Sequence, residues 1–536
     1  MRLGLGGLLV ALLATSALAQ TAPYGVNPDR LDQKRPALGR RGAPVKGPQA
    51  PKQAREISPF LLTAVRLDGS TAAPGVIDAA VRPFVGKSLD RAGLQQLTDV
   101  VAKAYGDHTD IALYTIVTPV QDFAGGVLRL RVLEGYLQQV SIGGHGKTEL
   151  VRAYARRLTS ERPLRRSSLQ RYISLIRDIP GWSGNLQLVA GDQPGAVRLV
   201  IDQAAHPLQA GVSINNRGTA LLGRTQVQGD LYLDSLLRQG DQTHLSVAVP
   251  TETRLFQFYT MSHSQPVGDD GATVTVNAGY LRTRPKDTGL AGSAKSLGLQ
   301  AAYPLRLDYA HSLYLTLDLD GLNADNALFG ETFSSDHTRA IRGGVSYATS
   351  SGAAQLSAAA TTSFGIDALG ARVTNPGLTD PSFKKLNLKA AYARRLTSLL
   401  VLRLDGTVQV SRGRLPASEQ LALGGDEFGR GYEASIVAGD YGYAGSAELA
   451  VRPSKPPRIL SNAEAYLFAD DGKVWARGRL GGDTQSFQIA STGGGVRFGV
   501  TRHAVVELEA ARALTDPTPY LEREGWRGVI SVRTSF

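Results

Sequence analysis

The chain has 536 residues, 60 glycines, no cysteine and a formal net charge of +12. It is long enough for several domains, and the lack of cysteine excludes disulfides, thiol catalysis, zinc fingers and iron–sulfur clusters. Half of the positive excess lies in residues 20–55, which hold eight Lys/Arg and two acidic residues; the charge is thus not gathered on one folded face as a nucleic-acid site requires, and suits anionic lipid headgroups or an acidic partner.

Residues 1–19 read as a secretory signal: Arg2, an apolar run through Leu13, then Ala17-Leu18-Ala19 before Gln20. Export makes nucleic acid an unsuitable partner. No later segment approaches the roughly 18–20 apolar residues of a membrane helix, so residence in a membrane requires a closed barrel. Residues 20–56 carry six prolines among their basic residues, a composition that buries no core and reads as an extended linker.

Residues 57–135 form a compact α+β unit. Phe60 to Leu67 alternates as a strand, Pro74 to Val85 and Asp90 to Tyr105 carry apolar residues at helical spacing, and Ile111 to Pro119 and Val127 to Leu133 read as strands. Within it stand Pro119-x-Gln121 in the loop between the last strands and Glu134-Gly135 at the end. Residues 136–205 repeat the β-α-α-β-β order: a strand over Leu137 to Ile142, helices over Thr148 to Leu158 and Ser167 to Arg177, and strands over Leu186 to Ala190 and Ala196 to Asp202. The second helix ends in Asp178-x-Pro180-Gly181, where proline and glycine stop it and turn the chain.

From 206 to 536 the pattern is period two. Leu313, Leu315, Leu317 and Leu319 share one face against Tyr314, Thr316, Asp318 and Asp320, and 224–234 and 402–410 repeat the alternation. One such strand fits a soluble sandwich equally well; a long series with charges on the second face fits a barrel with lipid outside and water inside. Sixteen candidate strands begin near residues 209, 222, 240, 253, 272, 294, 308, 337, 352, 384, 398, 441, 460, 487, 502 and 525. Connections after even strands are mostly short, and several after odd strands are long, notably 321–336, 365–383 and 412–440, as expected of periplasmic turns against extracellular loops. The chain ends in an alternating strand with a terminal aromatic, Phe536.

The sixth long-side loop, 412–440, contains Phe428-Gly429-Arg430-Gly431-Tyr432. Alone this reads as a surface loop with a solvated arginine. The next strand carries Phe468-x-Asp470-x-Gly472, and alternation places Asp470 on the inward face with Glu464 and Tyr466. The loop resembles the sixth extracellular loop of the Omp85 superfamily, whose (V/I)-R-G-(Y/F) tip folds into the barrel; a glycine here precedes Arg430. Phe468-x-Asp470-x-Gly472 is similar to the family's F-x-D-x-G motif. Pro119, Gln121, Glu134 and Gly135 resemble the signature of the first POTRA domain of two-partner secretion transporters, with the family's Y-x-x-x-G-Y reduced to Tyr105-Gly106, and Asp178, Pro180 and Gly181 match its L-x-R-x-x-x-L-x-x-D-x-P-G.

Over nearly all of the mature chain the pattern resembles the FhaC/ShlB-type (TpsB) transporters. The resemblance implies a sixteen-stranded transmembrane antiparallel β-barrel behind two α+β POTRA domains, an outer-membrane location and passage of a TpsA-like exoprotein client. It implies an ion pair between Arg430 and Asp470, and a short N-terminal plug helix, for which the prolines leave only Asp29 to Arg35. Phe536 is similar to the C-terminal signal of outer-membrane proteins, read by the barrel-assembly machinery. No H-E-x-x-H, G-x-S-x-G or Walker A motif occurs, so no catalytic residue, metal or cofactor is expected. The competing readings are an Omp85-type assembly factor and a passive porin; two periplasmic units disfavour the porin, and their number and signatures disfavour the assembly factor.

Overall fold

The computed structural model describes residues 58–73, 75–123, 125–453, 461–501, 503–518 and 525–536. The expected signal segment, linker and plug helix lie outside the described residues. Two compact units divide near His206 and Pro207.

The first unit contains two β-α-α-β-β halves. In the first, β1 (Phe60–Leu61) and β2 (Ala64–Asp68) precede α1 (Asp78–Val81), β3 (Ser88–Leu89), α2 (Arg91–His108), β4 (Tyr114–Val117) and β5 (Val127–Glu134). The single strand expected at 60–67 is broken, because fully buried Leu62 pairs with Lys87 and Gly86 while Thr63 turns to the carbonyl of Gly126. The helix expected over 74–85 shortens to α1 and a 3-10 turn over Arg82–Phe84, where Pro83 removes a donor. Strand order β2-β5-β4 packs one face on Leu97, Val101 and Tyr105 of α2. The second half comprises β6 (Tyr136–Gly144), α3 (Glu149–Thr159), α4 (Arg166–Arg177), β7 (Trp182–Ala190) and β8 (Ala196–Ala205), in sheet order β6-β8-β7. In both sheets the two outer strands have one paired edge each.

The second unit is a closed antiparallel barrel of sixteen strands, as the alternation predicts. They are β9 (Leu208–Asn215), β10 (Gln226–Asp234), β11 (Gln242–Pro250), β12 (Phe256–Val267), β13 (Ala272–Thr283), β14 (Leu290–Leu307), β15 (His311–Leu328), β16 (Glu331–Ser350), β17 (Ala354–Gly365), β18 (Lys384–Arg395) and β19 (Leu400–Ser411). After two short strands inside the next loop, β20 (Leu421–Leu423) and β21 (Val437–Gly439), follow β22 (Tyr441–Val451), β23 (Ser461–Ala476), β24 (Gln485–Gly499), β25 (Ala504–Ala513) and β26 (Trp526–Ser535). β26 pairs with β9 to close the ring. Leu315, Leu317 and Leu319 are exposed on the outer wall, as lipid contact requires, while their alternates line the lumen. The long loop expected at 321–336 is instead a continuation of β15 and β16, joined at Phe329-Gly330 with both residues at positive φ, the two-residue turn that matches strand twist. No helix of the described residues is long and apolar enough to cross a membrane.

Candidate functional site

The loop between β19 and β22 folds into the barrel as a small hairpin: β20 pairs with β21, and the tip between them is closed by hydrogen bonds from Gly424 N to Phe428 O (2.9 Å) and from Tyr432 N to Gly429 O (3.0 Å). Its apolar residues supply a core. Leu421, Leu423, Phe428, Tyr432 and Val437 pack against Ala444, Val474, Ile489 and Ala513 of the wall. Two glycines permit the close approach. A Cβ on Gly431 would stand 2.7 Å from the Ala513 nitrogen, and one on Gly472 would stand 2.7 Å from Leu423 Cδ1 and 2.8 Å from Ala444 Cβ. The glycine of Phe468-x-Asp470-x-Gly472 therefore serves as a seat for the loop. Tyr432 fixes the far side of the tip, its hydroxyl donating to Thr515 O (2.6 Å) and accepting from Thr515 N (3.0 Å).

Asp470 lies inward and buried on β23, as alternation predicts, but it does not meet the arginine side chain. Its two oxygens accept the main-chain N–H of Gly429 (3.0 Å) and Arg430 (3.3 Å), and Oδ1 also accepts from Ser491 Oγ (2.6 Å). The Arg430 guanidinium reaches past it: Nη1 donates to Glu448 Oε2 (3.0 Å) and Glu509 Oε2 (3.3 Å), and the group lies over the Phe468 ring at 4.3 Å. The expected Arg430–Asp470 ion pair is thus corrected to two separate anchors. An arginine is long enough to pass one residue level along the lumen, and its fork favours a site with several acceptors.

Glu448 and Glu509 belong to a larger lumen network. Glu448 also accepts from Arg403 (2.7 Å) and Arg497 (2.8 Å), Glu509 from Arg217 (3.2 Å) and Tyr466 Oη (2.9 Å), and Glu464 from Arg403 and Arg452 (both 2.9 Å). Arg497 stacks on Tyr466 at 3.8 Å and pairs with Glu507 at 2.8 Å. The loop base has its own anchors. Fully buried Glu419 takes Arg342 (2.8 Å) and Lys385 (2.9 Å), and fully buried Asp440 takes Arg479 (2.9 Å) and the N–H groups of Leu415 and Arg477 (both 2.7 Å). Glu433 accepts from Ala220 N at 2.9 Å, tying the loop to the connection between β9 and β10.

The sequence-predicted residues of the first unit shape their own turns. Gln121 bridges to Arg129 in both directions, Nε2 to Arg129 O and Oε1 from Arg129 N, each 2.8 Å, so its side chain stands in for a strand partner beyond Pro119. Glu134 accepts from Thr71 N (2.7 Å) and from Tyr105 Oη. Gly135 donates to Leu113 O (2.6 Å) and accepts from Leu164 N (2.9 Å), joining the two halves. Asp178 caps α4 with its N–H on Ser174 O (2.9 Å), Pro180 follows, and Gly181, at φ +69°, accepts from His206 N (2.7 Å). Phe536 is exposed, stacks on His503 at 6.3 Å and exchanges main-chain bonds with Ala210 at the barrel seam.

Sequence reasoning did not single out Glu448, Glu509, Glu419 or Asp440. Alternation puts Glu448 and Glu509 on the inward face, which is a usable signal; Glu419 and Asp440 sit in the loop, where nothing local separates a buried carboxylate from a solvated one. Among the described residues no His/Asp/Glu cluster could hold a metal.

Fold and site together define a membrane-type β-barrel whose lumen is occupied by one of its own loops, with α+β units ahead of it. Residues 195–498 match the family described as haemolysin secretion/activation protein ShlB/FhaC/HecB, and residues 60–135 match the ShlB-type POTRA domain. The chain belongs to this haemolysin secretion/activation family. It is similar to the outer membrane transporter CdiB of Dickeya dadantii, 24% identical over 464 residues that cover 83% of this chain and 81% of that one. It is also similar to the heme/hemopexin transporter protein HuxB of Haemophilus influenzae, 25% identical over 227 residues, 41% of this chain and 38% of that one. The solved structure of CdiB from Escherichia coli has the same fold, with a TM-score of 0.77 and 20% identity over 97% of this chain and 98% of that one.

Proposed function

We propose that the mature chain resides in the outer membrane and carries a secreted exoprotein partner from the periplasm to the cell surface, the client docking on the first unit and passing through the barrel. Family membership carries the direction of this reading, and the seated loop carries its mechanism. Strands β4 and β7 are edges of their three-stranded sheets, so an unfolded client can add a strand there through main-chain hydrogen bonds with little demand on sequence. Loop 412–440 stands in the path and is held by ion pairs and hydrogen bonds, which exchange without covalent chemistry. Folding of the client outside supplies direction, and no cofactor or nucleotide enters. Lipid covers the outer wall, and the barrel-assembly machinery reads the strand ending at Phe536 during biogenesis.

Deletion of residues 57–205 tests this reading. The barrel should still insert and the client should accumulate in the periplasm. Secretion that survives the deletion, together with failure of other outer-membrane proteins to assemble when the whole gene is lost, would move the chain to the assembly-factor reading.

A further inference from the structure

Helix α3 and its connection to α4 carry a charge that strand addition at β4 and β7 does not call on. From Lys147 to Arg177 the chain holds nine basic and two acidic residues. The apolar stripe of α3, including Leu150, Val151, Tyr154 and Leu158, is buried, so helical geometry turns Arg152, Arg156 and Arg157 outward. All three are exposed, as are Arg162 and Arg165 in the connection. The one acidic residue of the connection is already engaged: Glu161 accepts from Arg165 N (3.3 Å) and Ser168 Oγ (2.6 Å). Among the described residues, no carboxylate lies within 4.0 Å of the side-chain nitrogens of Arg152, Arg156, Arg162 or Arg165.

We infer that this arginine face is a docking surface for the anionic phospholipid headgroups of the membrane that holds the barrel. Three observations favour lipid over protein. The face has no apolar anchor: between Tyr136 and Ala205 the one exposed large hydrophobic side chain among the described residues is Val200, on β8, whereas protein interfaces draw their energy from buried aromatic and apolar anchors. Guanidinium forks match phosphate, and a fluid array of phosphates needs no shaped pocket. Only two residues join β8, ending at Ala205, to β9, beginning at Leu208, which tethers this half directly to a strand of the barrel. Each basic residue near an anionic surface contributes about fivefold to partitioning at moderate salt.

The chain has no cysteine, so a single Ser160→Cys at the exposed C-cap of α3 accepts a fluorophore cleanly in the full-length protein. The labelled protein is placed in nanodiscs of phosphatidylcholine alone or mixed with phosphatidylglycerol, each with headgroup-spin-labelled lipid as quencher. Quenching should be strong only with phosphatidylglycerol. The triple change Arg152→Gln, Arg156→Gln, Arg165→Gln should lower the ratio of docked to free label about a hundredfold, 1 M salt should abolish docking as the screening length falls to about 3 Å, and the corresponding triple lysine variant should dock. Inorganic phosphate should act no more strongly than its ionic strength. Equal quenching in both membranes, quenching unchanged in the triple glutamine variant, or competition by phosphate beyond its ionic strength would overturn the inference. Protection of the label by an added polyglutamate peptide with none by phosphatidylglycerol would also overturn it and assign the face to an acidic protein.

Discussion

At Arg430 and Asp470 two side chains of opposite charge perform different tasks within one loop tip. Removing the Arg430 side chain leaves Glu448 with Arg403 and Arg497, and Glu509 with Arg217 and Tyr466. No buried charge is stranded, so the loss falls well short of the roughly 3–5 kcal/mol of a broken dry pair and towards about 1 kcal/mol. Removing the Asp470 carboxylate leaves three donors, Gly429 N, Arg430 N and Ser491 Oγ, without their acceptor, at about 1–3 kcal/mol for each one that stays dry. Asp470→Ala should therefore loosen the tip more than Arg430→Ala, read as faster amide hydrogen exchange over residues 428–432, with Asp470→Asn between them because it keeps one acceptor oxygen. Equal exchange in the two alanine variants would mean that the carboxylate and guanidinium act as a single pair. Gly472→Val should also loosen the tip, because the added carbons meet Leu423 and Ala444 and overpacking costs about 1–3 kcal/mol; exchange unchanged from the parent would show that the glycine is not the seat.

The limit of sequence reading at this scale has a physical origin. Alternation fixes which wall a side chain faces, and it put Asp470, Glu464 and Tyr466 in the lumen. It does not fix height along the barrel axis relative to a loop tip 40 residues away in sequence, so the partner of a long arginine could not be chosen among the several inward carboxylates.

At the scale of elements, the strands were legible wherever lipid forced the alternation, as along Leu313 to Leu319. Where β15 and β16 continue past that region, the apolar residues change parity, from Leu317 and Leu319 to Leu322 and Ala324, and 334–337 is a polar run of Ser-Ser-Asp-His, so strand reads as loop. The first unit was legible from helical spacing in α2, and its turns from Pro119-x-Gln121 and Asp178-x-Pro180-Gly181. Gln121→Ala should lower the stability of this unit by about 1 kcal/mol, since two hydrogen bonds to Arg129 are lost at a wet site; an unchanged unfolding transition would show that water replaces them fully. Tyr105 supplies a pH test. Burial, then the hydrogen bond to Glu134, pushes its phenol up from 10.0 to about 12, and burial also raises Tyr114. The folded form thus favours the neutral phenol, so its contribution is complete below pH 10 and is lost as the pH rises to about 12. The unit's stability should fall across that window, and Tyr105→Phe should flatten the fall, leaving the part due to Tyr114. An identical slope in Tyr105→Phe would contradict this.

For the whole molecule, one ring of sixteen strands provides a water-facing lumen, and one loop occupies it through a hairpin core and carboxylate anchors at tip and base. The protein should fractionate with the outer membrane as a heat-modifiable barrel. The network is redundant enough for the barrel to survive loss of one loop contact, so damage to the loop should appear in transport before it appears in abundance. The most direct measurement is secretion of the client by Arg430→Ala and Arg430→Lys at matched outer-membrane levels. Loss of secretion in the alanine variant, with partial recovery in the lysine variant that keeps a charge but not the fork, is the predicted result; full secretion by Arg430→Ala with a normally inserted barrel would contradict the claim that the fixed loop tip is what transport requires.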